Sequence, residues 1–341
     1  MNAYLNLPYQ LGEHTHHNTP SIGAALLGDA LLTAANLLKQ ADIAMYQVKS
    51  TGRNGLCFFD PQMQAIITAR AQLEEDLRTA LVEQQFELYY QAQFENNGQV
   101  KGSEALLRWH HPLRGLVSPG AFIPLAEESD LILPLGQWVL RTACQQLALW
   151  QKNPIYSHLH LSVNVSARQF RQPTFVADVT ALIRTTGIRA HLLKLELTES
   201  LVLDHVDNAI AKMTELRALG VRFSVDDFGT GHSSLAYLTR LPLDQLKIDQ
   251  SFVRNIGRQP TDGVIVQTII GMARNLGLEV IAEGVETPEQ HAFLALHGCL
   301  LYQGYLFARP APLATFEALL SAGVPDFEPN RRTGFERLLG R

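Results

Sequence analysis

From Phe86 onward the chain repeats one pattern: a short apolar run ends on a polar or charged residue, a turn follows, and an amphipathic segment usually comes next. Eight such runs occur, at Phe86 to Gln91, Ser103 to Trp109, Leu159 to Val165, Leu193 to Thr198, Arg222 to Asp227, Leu246 to Ser251, Val280 to Gly284 and Leu301 to Phe307. Segments of helical spacing separate most of them, as at Thr174 to Thr185, Val206 to Leu219, Val264 to Leu276, Thr287 to His297 and Leu313 to Leu320. Eight strands alternating with helices over roughly 235 residues predict an α/β fold, a TIM-type (β/α)8 barrel. One connection departs from the rule. Only Glu95 to Gln99 separates the first two runs, whereas a parallel crossover takes about a dozen residues or more. Those two strands are predicted to form an antiparallel hairpin turning at Asn97-Gly98.

In such a barrel the chemistry gathers where the strands end. The ends carry Asn164 on the third strand, Glu196 on the fourth, Asp226 and Asp227 on the fifth, Lys247 and Asp249 on the sixth, Glu283 on the seventh and Gln303 on the eighth. Glu104 is read as lying near the start of the second strand, taken as the reversed member of the hairpin, which brings it to the same rim. Adjacent aspartates also suit a turn or a helix start without any metal. The convergence of the other strands favours a site. Carboxylates and an amide oxygen, with no Cys and no required His, suit Mg²⁺ or Mn²⁺ better than zinc. Scattered salt bridges would need about as many bases as acids, and near these positions Arg108 and Lys247 are the chief ones. Asp249 shares a strand face with Lys247, so an ion pair or turn cap stands beside a substrate role.

The chain has 341 residues, 46% of them hydrophobic and 18% charged, enough to bury a core for one large domain or two smaller ones. No apolar stretch reaches the roughly 18 residues of a membrane span, and no signal-peptide order is found at the start. Cys57, Cys144 and Cys299 are odd in number and widely spaced, which suits buried thiols in a reducing cytoplasm. A net charge of −5 speaks against general nucleic-acid binding but leaves a small anionic ligand open.

Residues 1–60 are thin for an independent core. Leu31, Ala34, Leu37, Leu38, Ala41, Ile43, Ala44 and Tyr46 have helical spacing, broken at Gly52-Arg53-Asn54-Gly55 before the apolar run Leu56 to Phe59. His14, His16 and His17 sit in a polar stretch, for which a solvated hairpin loop is preferred over a metal tract. Ser21-Ile22-Gly23, Ala41-Asp42-Ile43-Ala44-Met45-Tyr46-Gln47-Val48-Lys49 and Gly52-Arg53-Asn54 resemble the carboxy-terminal part of a GGDEF domain. The part that carries that family's cyclase signature is absent, so diguanylate cyclase activity is not expected. Residues 61–84 read as a connecting helix, 85–322 as the barrel and 323–341 as a solvated tail with Arg331, Arg332, Arg337 and Arg341.

Seven blocks between about residues 72 and 322 resemble, in order, the EAL-domain phosphodiesterases of cyclic di-GMP. They are Glu104-Ala105-Leu106-Leu107-Arg108-Trp109, Asn164-Val165-Ser166, Glu196-Leu197-Thr198-Glu199-Ser200, Asp226-Asp227-Phe228-Gly229-Thr230-Gly231, Lys247-Ile248-Asp249, Ala282-Glu283-Gly284-Val285-Glu286 and Gln303-Gly304-Tyr305-Leu306-Phe307. The resemblance implies a barrel with an antiparallel first strand and hydrolysis of one phosphodiester of cyclic di-GMP to linear pGpG. It assigns Glu104, Asn164, Glu196 and Asp226 to one metal, with Asp226 and Asp227 reaching a second. Paired cations of this kind activate water and clamp phosphate oxygens during in-line cleavage. Glu283 matches the family's general base, and Lys247 would orient water and offset charge on the phosphorane. Arg108 is expected to pair with a substrate phosphate, and Gln91 and Gln303 to touch substrate or simply hydrogen-bond at the barrel mouth.

In the family, the glutamate matching Glu199 anchors the loop after Asp227, which couples dimerisation to metal binding. A homodimer through the barrel is therefore expected. His232 stands where the family usually has Tyr; a tolerated surface substitution is preferred over a pH-sensitive coupling. Leu300 stands where Asp is frequent, and is expected to weaken a contact near the substrate without removing a metal ligand. Glu286 either anchors a substrate or loop group or caps the helix opening at Thr287, the cap being preferred. A catalytically silent cyclic di-GMP receptor and a signalling scaffold are the alternatives to an enzyme.

Overall fold

The computed structural model describes residues 5–27, 33–50, 52–204, 206–229, 235–257 and 260–322. Its chain divides into two compact units, Met1–Leu77 and Arg78–Arg341. In the second, eight strands close a barrel: β1 (Phe86–Glu95), β2 (Val100–His111), β3 (His160–Asn164), β4 (Leu193–Thr198), β5 (Arg222–Phe228), β6 (Gln245–Ile248), β7 (Glu279–Ala282) and β8 (Leu301–Tyr302). Pairing runs in sequence order from β2 to β8 and closes through β1, which is antiparallel to both its neighbours.

The reversed member of the hairpin is thus the first strand, not the second. β2 runs parallel to β3, with Glu104 opposite Ser162. Glu104 reaches the rim because only the opening part of this long strand pairs inside the barrel; residues beyond Ala105 rise above it, pairing with β1 and with the short strand Gly115–Val117. The hairpin turn bears Gly98 at φ +81°, the left-handed backbone that the Asn-Gly pair predicts.

Alternation along β4 explains the layering. Leu193, Leu195 and Leu197 are buried in the apolar core between strands and helices, while Lys194 and Glu196 are buried facing the barrel interior. Helices Phe175–Thr186, Val206–Ala218, Pro260–Asn275, Pro288–Leu296 and Leu313–Ala322 follow the predicted amphipathic segments closely. Between β2 and β3 lie two further helices, Pro119–Glu128 and Ile132–Trp150; the second accepts Pro134 in its first turn, where no intrahelical donor is lost. The sixth and eighth strands stop sooner than their apolar runs, at Ile248 and Tyr302. No helix of the described residues is long and apolar enough to cross a membrane.

In the first unit, Ile22–Ala24 pairs in parallel with Leu56–Phe58, and helix Ala34–Ser50 buries Ile43, Ala44 and Val48. Arg53 and Asn54 take positive φ between helix and strand, where the sequence breaks its helical spacing. His14–His16 is an exposed strand paired antiparallel with Tyr9–Leu11, and Tyr9 stacks on His16. Helix Pro61–Val82 spans the boundary between the two units. Leu31 and the arginines of the 323–341 tail lie outside the described residues.

Candidate active site

At the rim formed by the carboxyl ends of the parallel strands, four carboxylates from four strands converge on one ammonium. Lys247 Nζ lies 2.6 Å from Glu283 Oε1, 3.2 Å from Asp226 Oδ1 and 3.7 Å from Glu104 Oε2, and it donates to Glu196 Oε2. Lys247 is 1% exposed and Glu196 likewise 1%, so these charges interact with little solvent between them. Burial alone would lower the lysine's pKa, but Asp226, Glu104, Glu196 and Glu283 outweigh it and hold it well above the usual range. Burial raises Glu196 to about 7 against the pull of Lys247, with Glu104 and Asp226 adding to the rise. Glu283 is raised well above the ordinary carboxylate range by burial and by the same acidic neighbours. One ammonium does not balance four acids.

Glu104 is held on both oxygens. Asn164 Nδ2 donates to its Oε1 at 2.6 Å, and Gln303 Nε2 to its Oε2 at 2.6 Å. Gln303 Nε2 also donates to Gln91 Oε1 at 3.0 Å, and Gln91 Nε2 reaches the Ala308 carbonyl at 3.2 Å. Asp227 is more exposed, at φ +54°, and its backbone N–H donates to Asp226 Oδ1 at 2.9 Å. Burial, then the charges of Asp226 and Asp249, push its carboxyl up to about 6. A cavity of about 250 Å³ opens on this ring, lined by Gln91, Glu104, Asp226, Lys247, Glu283 and Gln303, with Glu286 and Tyr305 at its side.

The acids surround Lys247 rather than forming a ready cage: among the described residues no three His, Cys, Asp or Glu side chains stand grouped to hold a cation. The donor chemistry nevertheless suits a hard divalent ion. Every side chain in the ring except the lysine offers oxygen, and Glu196 Oε1 is buried without a hydrogen-bond partner.

Other predicted residues fall elsewhere. Asp249 is the N-cap of helix Gln250–Arg254, accepting from Ser251 N at 2.9 Å, which realises the turn-cap reading. Glu286 is not a cap: Thr287 caps helix Pro288–Leu296 in a capping box with Gln290, and the exposed Glu286 side chain borders the cavity instead. Arg108 is half-buried above the rim, its guanidinium 5.2 Å from the Tyr89 ring centroid and donating to the Leu107 carbonyl. Glu199 is buried and accepts from Gly229 N at 3.3 Å, directly anchoring the start of the loop after Asp227. His232 lies outside the described residues. Leu300 precedes β8, and its carbonyl accepts from Asn96 N beside the hairpin turn. That is the end of the barrel opposite the acids, so its expected contact near the substrate is not found.

Sequence reading passed over a buried polar layer beneath the ring: Gln93, His160, Lys194 and Gln245. The signal was present, since each lies two residues from an interior-facing site position or, for His160, four from Asn164.

The chain matches the EAL domain model over residues 74–310. It is 44% identical over 310 residues to the bifunctional diguanylate cyclase/cyclic di-GMP phosphodiesterase MucR of Pseudomonas aeruginosa, covering 90% of this chain and 45% of that protein. It is 43% identical over 327 residues to the cyclic di-GMP phosphodiesterase NbdA of the same organism, covering 96% and 42%. The chain thus spans less than half the length of these curated relatives. Among solved structures, a PaMucR phosphodiesterase in complex with c-di-GMP superposes with a TM-score of 0.70 at 43% identity, over 72% of this chain and 99% of that one.

Proposed function

Starting from the chain's membership of the EAL-domain family, we propose that it is a metal-dependent phosphodiesterase that hydrolyses cyclic di-GMP to linear pGpG. The observation that carries this reading is the ring of Glu104, Glu196, Asp226 and Glu283 around Lys247 at the mouth of the barrel. Glu104, Asn164, Glu196 and Asp226 would hold one Mg²⁺ or Mn²⁺, and Asp226 with Asp227 a second. When bound, two such ions supply Lewis acidity toward the phosphate and lower the pKa of the attacking water.

The chain's own side chains do the rest. Glu283 accepts the proton of the attacking water, placed for this at the cavity wall with Lys247 Nζ 2.6 Å from its Oε1. The Lys247 ammonium, already within reach of Glu283 and Asp226, orients that water and offsets charge on the pentavalent phosphorus. Gln91, Gln303 and Glu286 border the cavity and contact the substrate; Arg108 turns from Tyr89 to a phosphate, and Asp249, the cap of the helix after Lys247, is a further substrate contact next to Gln250 of the cavity wall. Glu199 couples the loop after Asp227 to dimerisation, with His232 in that loop, in a homodimer formed through the barrel. Residues 1–60 are the carboxy-terminal part of a GGDEF domain, joined by the helix at 61–84 to the 85–322 barrel, and the whole works in a reducing cytoplasm.

The test is hydrolysis of cyclic di-GMP by purified protein with Mg²⁺, with Mn²⁺ and with chelator, with Glu104→Ala as control. Metal-dependent pGpG formation that disappears in the variant is expected. Tight binding without product under every metal condition would replace the enzyme by a receptor.

A further inference from the structure

The polar layer under the acid ring is continuous. Gln303 Nε2 donates to Glu104 Oε2 at 2.6 Å; Gln93 Nε2 donates to Gln303 Oε1 at 2.9 Å; Gln93 Oε1 lies 2.9 Å from His160 Nε2. All four side chains are at least nine-tenths buried, so water does not compete for these bonds. The polarity of the series follows from its first member. A carboxylate oxygen only accepts, so Gln303 must turn its amide nitrogen to Glu104 and its oxygen to Gln93. Gln93 must then meet that oxygen with its own nitrogen, which leaves its carbonyl facing the imidazole. His160 must therefore carry its proton on Nε2. With that nitrogen committed to Gln93, Lys194 Nζ, 3.4 Å away, directs its proton to Gln245 Oε1 at 2.9 Å.

We propose that His160 is a positioning residue for Glu104, acting through Gln93 and Gln303 to hold the carboxylate in the orientation that binds metal. This rests on Glu104 being a ligand, as argued under the proposed function. A second observation shows that the barrel makes room for the ring. Gly102 pairs with His160 across the β2–β3 register, and a Cβ there would sit 2.6 Å from His160 Nε2 and 2.5 Å from its Cδ2. A larger residue at 102 would press on the imidazole and equally on the His160 carbonyl oxygen, also 2.5 Å away. Burial, then the charges of Lys194 and Arg222, keep the ring well below its ordinary pKa, consistent with one fixed neutral tautomer.

The first test needs no metal. A ¹H–¹⁵N correlation spectrum of the imidazole in metal-free wild-type protein is expected to show His160 protonated on Nε2 alone. Protonation on Nδ1 would overturn the proposal, since the series would then have no donor at its end. The second test measures Mn²⁺ affinity by calorimetry without substrate. Gln93→Met, which breaks the series at its middle, is expected to weaken binding about ten-fold or more, as loss of a partner behind a ligand does. His160→Gln, which can still donate to Gln93, should stay within about two-fold of wild type by the same comparison, and His160→Leu should follow Gln93→Met. Unchanged affinity in folded Gln93→Met, alongside lost affinity in Glu104→Ala, overturns the positioning role alone. Unchanged affinity in Glu104→Ala overturns the ligand assignment and the proposal with it.

Discussion

Replacing Lys247 by Met tests whether the ammonium is what makes the acid ring tolerable without metal. At an effective dielectric of about 20, its contacts with Glu283 at 2.6 Å, Asp226 at 3.2 Å and Glu104 at 3.7 Å contribute gross attractions of about 6, 5 and 4.5 kcal/mol. Desolvating the ions offsets much of this, at several kcal/mol each. Methionine fills a similar volume but leaves the carboxylates facing one another, and loss of one partner from a buried ionic group costs about 3–5 kcal/mol. That is the expected loss of barrel stability in chelator. With saturating Mn²⁺ the deficit should shrink, because a cation supplies the missing positive charge. Urea unfolding followed by tryptophan fluorescence isolates the barrel, as Trp109, Trp138 and Trp150 all lie in the second unit. A variant within about 1 kcal/mol of wild type in chelator, the scale of an exposed ion pair, would show that the ammonium does not hold the ring together. So would a deficit that metal leaves unchanged.

Other consequences are checked more simply. Gly304→Ala should disrupt the mouth, because a Cβ would sit 2.1 Å from the Val285 carbonyl oxygen; hydrolysis is expected to drop at least about ten-fold, since a misplacement of about 1 Å costs that much or more, and wild-type rates would contradict the packing. Glu199→Ala removes the acceptor for Gly229 N and should lower metal affinity through the loop after Asp227 while leaving the melting temperature within a few degrees; equal affinity by calorimetry would separate Glu199 from the site. Buried His160 has a folded-state pKa below its unfolded value, so the folded protein binds fewer protons, and stability present above about pH 6.5 is lost as pH falls. His160→Gln should flatten this pH dependence in parallel urea titrations, and a profile unchanged by the substitution would contradict the buried neutral imidazole.

The barrel was legible because strands such as β4, β5 and β6 alternate apolar with polar residues, and because helices of ordinary spacing follow most strands. β4 shows this best, its bounds matching the apolar run Leu193–Thr198. Boundaries failed where backbone geometry, not hydropathy, ends the strand: Ile248 gives way to Asp249 because that carboxylate caps the next helix. The orientation of β2 was misread from Glu104, since hydropathy does not say which part of a twelve-residue strand lies inside the barrel. Glu286 was misjudged because Thr287 and Gln290 together form the stronger cap. Leu300 was read from a family position where Asp is frequent, whereas its carbonyl pairs with Asn96 N beside the hairpin turn, before β8 begins. The Gln93–His160–Lys194 layer escaped notice because attention went to the strand ends, although the pleat turns the residues two or four positions from them inward as well.

The carboxylate ring is proposed to work as a metal-dependent hydrolase of cyclic di-GMP. It is tested most directly by titrating metal-free protein with Mn²⁺ while following bound metal by electron paramagnetic resonance and pGpG by chromatography in the same samples. The account predicts no product in chelator and turnover that rises with filling of a second site per barrel. Turnover unaffected by chelator, or a filled site that binds cyclic di-GMP and never yields pGpG, would contradict it.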